Sequence, residues 1–202
     1  MKKIFLLFLR FFVFPLVRRH LGRIEGENNI PNSNFILASN HINGKDHWFI
    51  LYVLREKLKE THFIGALDTI PIFLQSWLLY YMSDTIIINR KKIDREGFIE
   101  KISSHLGRKE NIVIYPEGGT NEGKALLKGK TGMAELALKT NTPVLPIGIS
   151  RDKDNQKRII KIGKPLRFNE IPRDKEYRLL LRGVTDKIMQ EISILSGKPY
   201  PY

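Results

Sequence analysis

No cysteine occurs among the 202 residues of this chain. That excludes disulfides, a thiolate nucleophile and cysteine-ligated zinc or iron–sulfur centres, and it fits a reducing compartment. A G-x-S-x-G nucleophile elbow and a G-x4-G-K-[ST] phosphate loop are also missing. There is no internal repeat and no low-complexity tract. Acid is scarce: 21 Asp and Glu stand against 34 Lys and Arg, a net charge of +13. Such an excess favours an anionic partner, whether nucleic acid, an anionic membrane surface, or a phosphorylated or acidic substrate carrier. No helix-turn-helix or aromatic-basic RNA motif supports nucleic acid.

The first 23 residues carry Lys2, Lys3, Arg10, Arg18, Arg19 and Arg23 and no acid. Between the basic ends runs IFLLFLRFFVFPLV, Ile4 to Val17, interrupted only by Arg10 and Pro15. As a helix it spans about 21 Å, short of the ~30 Å hydrocarbon core. The following FPLVRRH has no small-residue cleavage site, which argues against a signal peptide. Apolar residues fall all round the helix rather than in one stripe, unlike an ordinary surface helix. The expectation is a helix lying in the membrane interface, with its arginines at headgroup level. Residues 1–23 are read as this membrane-interfacial segment and residues 24–202 as one domain, a length that can bury a substantial core.

Beyond the turn-rich GENNIPNSN, strand and helix signals alternate. FILAS (Phe35–Ser39), THFIGA, TIIIN (Thr85–Asn89), NIVIY (Asn111–Tyr115), TPVLPIGIS and RIIKIGKPL read as strands, the last near a sheet edge. Helices are expected at about Asp46–Lys59, at Pro71–Met82, through Ile93, Phe98, Ile102 and Leu106, at about Thr131–Lys139, and at about Lys175–Leu195. Strands separated by helices predict an α/β domain with a mainly parallel central sheet flanked by helices.

Functional residues in such sheets collect at the carboxyl ends of strands. Two polar clusters stand there. SNHINGKDHWF follows the first strand and spaces His41 and Asp46 five apart, with an Asn43-Gly44 turn between them. A histidine suits general-base work near neutral pH. A carboxylate on its Nδ1 would fix the tautomer and stabilise the imidazolium. With no cysteine and no serine elbow, the reading is direct attack by a substrate hydroxyl, without a covalent enzyme intermediate. The bland alternative is a surface histidine beside a helix-capping aspartate. The second cluster, PEGGTNEGK, offers glycines for close backbone approach, with Lys124, Lys128 and Lys130 nearby and a helix start at Thr131-Gly132. That is a plausible phosphate site; a solvated basic turn is the alternative.

Taken together, these stretches resemble the glycerolipid acyltransferase family. Asn40, His41 and Asp46 match its N-H-x4-D block; Tyr115, Pro116, Glu117 and Gly118 match its proline-glutamate-glycine block; Pro143, Val144, Pro146 and Ile147 match its later proline-rich strand. INRKK stands at the arginine-containing block, ending in Arg90, and GKTGMAELAL resembles the K-x-G helix start. The resemblance covers roughly residues 20 to 150. It implies His41 as general base and Asp46 as its orienting partner. It places Glu117, Gly118, Gly119 and Thr120 in the acceptor-binding loop, with Arg90 and Lys130 as candidate ligands for an acceptor phosphate. Two departures touch acceptor recognition: EGGTN replaces the common E-G-T-R, and Asn89 precedes Arg90 in a block lacking its upstream glycine.

The implied function is transfer of a fatty acyl group from an acyl thioester, acyl-CoA or acyl carrier protein, to a hydroxyl of a lysophospholipid such as 1-acylglycerol-3-phosphate. The expected partners are an anionic membrane surface, the lipid acceptor and the thioester donor, at the cytoplasmic face. Nucleic acid, a catalytic metal and a bound cofactor are not expected. A non-catalytic, membrane-surface lipid-binding protein of the same fold is the competing reading, and intact His41 and Asp46 favour the enzyme over it.

Overall fold

The computed structural model describes residues 6–66, 85–88, 94–169 and 176–202. Arg90 and the helix expected at Pro71–Met82 lie outside them. Among the described residues seven strands form one sheet: β1 (Leu21–Glu25), β2 (Ile36–Ser39), β3 (Thr61–Ala66), β4 (Ile86–Ile88), β5 (Asn111–Ile114), β6 (Val144–Arg151) and β7 (Arg158–Ile162). Their spatial order is β1-β7-β6-β2-β5-β3-β4. Every pairing is parallel except β6 with β7. The expected α/β architecture is therefore present.

The period-two alternation of strands sorts the core into two layers. Phe35 and Leu37 pack on one face of the sheet with Phe49, Ile50, Val113 and Leu145. Ile36 and Ala38 point to the other, with Ile112, Ile102, Leu136 and Ile188. Both faces are covered, which explains why β2 reads as a continuous apolar run. The first face carries α1 (Phe14–His20) and α2 (Asp46–Val53); the second carries α3 (Arg95–Gly107), α4 (Gly132–Thr140) and α5 (Tyr177–Ser196). Contact between α5 and the sheet is close at Gly148, where an added Cβ would stand 2.3 Å from the backbone of Leu195 and Ser196. Asp94 caps α3 by accepting a hydrogen bond from the Glu96 amide at 3.1 Å.

One local expectation changes, the extent of a helix. Helix α2 ends at Val53 rather than near Lys59, because the chain turns through Lys57 N–H to Leu54 O (2.7 Å) and Glu60 N–H to Lys57 O (3.2 Å) to enter β3. β7 stands near the sheet edge, as expected, with β1, unmarked among the basic N-terminal residues, pairing outside it. The expected segment boundary at residue 23 falls within β1. The N-terminal segment also has two faces. A π-helical turn (Leu9–Val13) leads into α1, with Leu9, Phe14 and Val17 buried in the core. Leu7, Phe8, Phe11, Phe12 and Leu16 stay exposed, Phe11 by 66% and Phe12 by 65%. Among the described residues no helix is long and apolar enough to cross a membrane.

Candidate active site

The carboxyl ends of β2, β5 and β6 lie side by side, so the loops that follow them share one end of the sheet. Asn40 leaves β2 fully buried and grips β6 with both halves of its amide. It donates to Ile149 O at 2.9 Å and accepts from Ile149 N–H at 2.7 Å. That pair of hydrogen bonds fixes where His41 starts.

Asn43 closes the loop, its carbonyl accepting the Asp46 N–H at 3.0 Å. The turn brings Asp46, first residue of α2, back onto the histidine. His41 Nδ1 lies 3.2 Å from Asp46 Oδ2, which also accepts the Asn43 N–H at 2.7 Å. Asp46 is wholly buried, whereas 12% of the His41 side chain is exposed. With Nδ1–H donated to the carboxylate, Nε2 carries the lone pair and is the nitrogen available to a substrate. The other carboxylate oxygen faces Arg158 Nη2 at 3.4 Å, an ion pair at long hydrogen-bond range. Arg158 is buried and stands 5.8 Å from the Phe49 ring centroid. Burial lowers its pKa from the usual value, partly offset by Asp46.

The loop after β5 holds the backbone of the same histidine. Glu117 Oε1 accepts the His41 N–H at 3.3 Å, and Asn121 N–H donates to His41 O at 2.6 Å. Glu117 Oε2 accepts from Asn121 Nδ2 at 2.6 Å and from the Leu127 N–H at 2.8 Å. Both carboxylate oxygens are thus turned into the protein, and the loop they tie down carries Gly118, Gly119 and the exposed Thr120. Gly118 has φ +76°, and a Cβ there would meet Lys130 Cε at 2.5 Å, so the Lys130 stem lies against this glycine. The chain terminus latches the loop: Lys198 Nζ donates to Asn121 O at 3.0 Å and Leu126 N–H to Pro199 O at 2.9 Å. Asn121, where the common motif has arginine, is therefore the loop's hub. His41, Asp46, Glu117, Gly118 and Lys130 converge; Arg90 lies outside the described residues.

Aromatic rings back the histidine. Tyr115 stacks on His41 with centroids 4.0 Å apart and planes inclined by 15°, and burial raises its phenol well above the usual value. His47 stacks on Phe63 at 4.7 Å. Burial first, and then neighbouring His41, lower the His47 pKa from 6.5 to about 4, against an opposing pull from Asp46. His47 is therefore neutral near pH 7. The unfolded chain binds the extra proton between about 6.5 and 4, so stability falls as pH drops through that window. At about 1.4 kcal/mol per unit the loss is at most roughly 3.5 kcal/mol. His47→Gln is expected to flatten this acid limb in denaturant titrations at several pH values. An unchanged limb would remove His47 as its source.

Tyr115, His47, Asn121 and Arg158 escaped the sequence reading as site residues. His47 and Tyr115 stand inside quoted motifs and were within reach. Arg158 was not, because only the antiparallel return of β7 brings its first residue to this end of the sheet.

Beside the histidine loop opens a cavity of about 590 Å³. Val13, Leu16 and Val17 of the N-terminal helix wall it on one side, Trp48 and Phe49 on another; Lys45, Arg151 and Arg158 supply positive charge.

Known proteins resemble this chain in sequence and fold. A 1-acyl-sn-glycerol-3-phosphate acyltransferase from Haemophilus influenzae is 28% identical over 185 residues, covering 79% of this chain and 73% of that protein. A lyso-ornithine lipid O-acyltransferase from Pseudomonas aeruginosa is 26% identical over 132 residues, covering 65% of this chain and 48% of that protein. The crystal structure of the 1-acyl-sn-glycerophosphate acyltransferase from Thermotoga maritima shares the fold, with a TM-score of 0.59 and 22% identity over 94% of this chain and 87% of that one. The family model described as Acyltransferase matches residues 22–150, spanning the His41–Asp46 loop, Glu117 and the proline-bearing β6. The chain belongs to the acyltransferase family and is an enzyme of that class.

Proposed function

We propose that this enzyme moves a fatty acyl group from an acyl thioester, carried by CoA or acyl carrier protein, to the hydroxyl of a lysophospholipid such as 1-acylglycerol-3-phosphate, working on the cytoplasmic face of a membrane. The observation that carries the reading is the His41–Asp46 pair beside a cavity walled by the N-terminal helix, whose other face exposes large apolar side chains. A lipid held at the membrane surface would meet both at once.

In this mechanism His41 Nε2 removes the acceptor hydroxyl proton as the oxygen attacks the thioester carbonyl. Asp46 holds the ring and stabilises the imidazolium. The tetrahedral intermediate collapses, breaking the carbon–sulfur bond, and the thiolate takes the proton back from His41. The products are an ester and a free thiol. Gly118, Gly119, Thr120 and Lys130 receive the acceptor headgroup, and Arg90 remains a candidate for its phosphate.

The test is a panel of lysophospholipids, phosphate-bearing and phosphate-free, assayed with acyl-CoA and with acyl carrier protein. Thiol release and ester product are read together. Ester formation on a phosphate-bearing lysolipid supports the assignment. Transfer confined to phosphate-free acceptors would refute the glycerophosphate reading.

A further inference from the structure

A second cluster sits at the other end of the sheet, where the parallel strands begin. His62 is the second residue of β3, His105 lies in the last turn of α3, and Glu110 ends the turn leading into β5. His105 Nδ1 stands 2.7 Å and His62 Nε2 3.2 Å from the same oxygen, Glu110 Oε2. Arg108 Nη2 reaches that oxygen at 3.1 Å and His105 Nδ1 at 2.9 Å. Three nitrogens therefore converge on one carboxylate oxygen. His105 Nδ1 also faces a carboxylate and a guanidinium together. As N–H it suits the first and opposes the second; as a bare nitrogen the reverse holds. No tautomer satisfies both contacts. A cation that accepts the lone pairs of both imidazoles and the carboxylate would.

We propose that His62, His105 and Glu110 form a binding site for a divalent transition-metal cation, with zinc as the best match. The three donor atoms lie within 4.8 Å of one another. Zinc takes imidazole nitrogen and carboxylate oxygen at about 2.0–2.2 Å, which sets donors in a tetrahedral site roughly 3.3 Å apart. The His62–Glu110 separation of 3.2 Å already fits; the 2.7 Å between His105 and Glu110 would widen by about half an ångström, and the two imidazole nitrogens, within 4.8 Å of each other, would close on the metal. The two imidazoles disfavour calcium and magnesium, which prefer oxygen ligands. Arg108 holds the competing position, but its side chain is 53% exposed and such ion pairs are weak. Burial pushes the Glu110 carboxyl up, yet hydrogen bonds from Arg108 and His105 outweigh it and hold it below the usual range. The role of the metal is structural: it clips the end of α3 to the starts of β3 and β5, away from His41.

The experiment uses the full chain without an affinity tag, stripped with chelator and titrated with Zn²⁺ by calorimetry and thermal unfolding. One saturable site and a raised Tm are expected. His105→Ala and Glu110→Gln should each weaken affinity by at least about tenfold, a typical cost of disturbing a metal site. Arg108→Ala should tighten it by removing the competing cation, a result that a merely structural hydrogen-bond cluster would not produce. Circular dichroism establishes that each variant is folded. Absence of saturable binding in both the natural chain and Arg108→Ala would overturn the site. So would binding that neither His105→Ala nor Glu110→Gln weakens.

Discussion

His41→Ala is expected to lower kcat by about 10²–10⁴, the usual worth of general-base assistance, while the protein stays folded and membrane-bound. The ring is partly exposed and stacks on Tyr115, so its removal opens little of the core. The backbone bonds that place it, from Glu117 and Asn121, do not need the imidazole. Asp46→Asn should also lower kcat substantially, since an amide cannot stabilise the imidazolium as a carboxylate does. That variant leaves buried Arg158 without its countercharge, and removing one partner of a buried pair costs about 3–5 kcal/mol. Its turnover must therefore be measured well below its own melting temperature. Near-normal turnover in a folded His41→Ala protein would end the base assignment.

Phe11→Ser combined with Phe12→Ser is expected to reduce partition onto anionic vesicles by about 10²-fold. Burying one such ring is worth at least about 1.5 kcal/mol, and each 1.4 kcal/mol is tenfold. Both rings point away from the protein, so stability should change little. Removing the whole segment would be a poorer test, because Leu9, Phe14 and Val17 belong to the core and their loss would uncover it. Vesicle sedimentation reads the effect, and equal binding by the folded double variant would show that membrane contact lies elsewhere.

The parts of the fold that could be read in advance are those whose signal is local. β2, β5 and β6 are buried on both faces and therefore appear as short apolar runs; α5 shows its amphipathic period over Tyr177–Ser196. The His41–Asp46 loop was equally legible, since the two residues sit within one turn and the Asn-Gly between them declares it. β1 was not, because only Leu21 and, partly, Ile24 turn inward, a register shift between Leu21 and Arg23 breaks the two-residue period, and basic side chains fill the rest of the neighbourhood. The two-faced character of the N-terminal helix was hidden too: with apolar residues all round, only tertiary packing decides which side is covered. Asn121 looked like a lost arginine; it bonds to Glu117 within its own loop, but its bond to His41 depends on the loop that follows a different strand. The Arg158–Asp46 contact is set by sheet topology alone.

Pre-steady-state thiol release bears most directly on the central claim, that a substrate hydroxyl activated by His41 attacks the thioester without a covalent enzyme intermediate. The enzyme is mixed with acyl thioester on vesicles, with and without lysophospholipid. The account predicts no release without acceptor, one thiol per ester formed with it, and loss of both in His41→Ala. A stoichiometric burst of thiol in the absence of acceptor, with the acyl group retained on the protein, would contradict it.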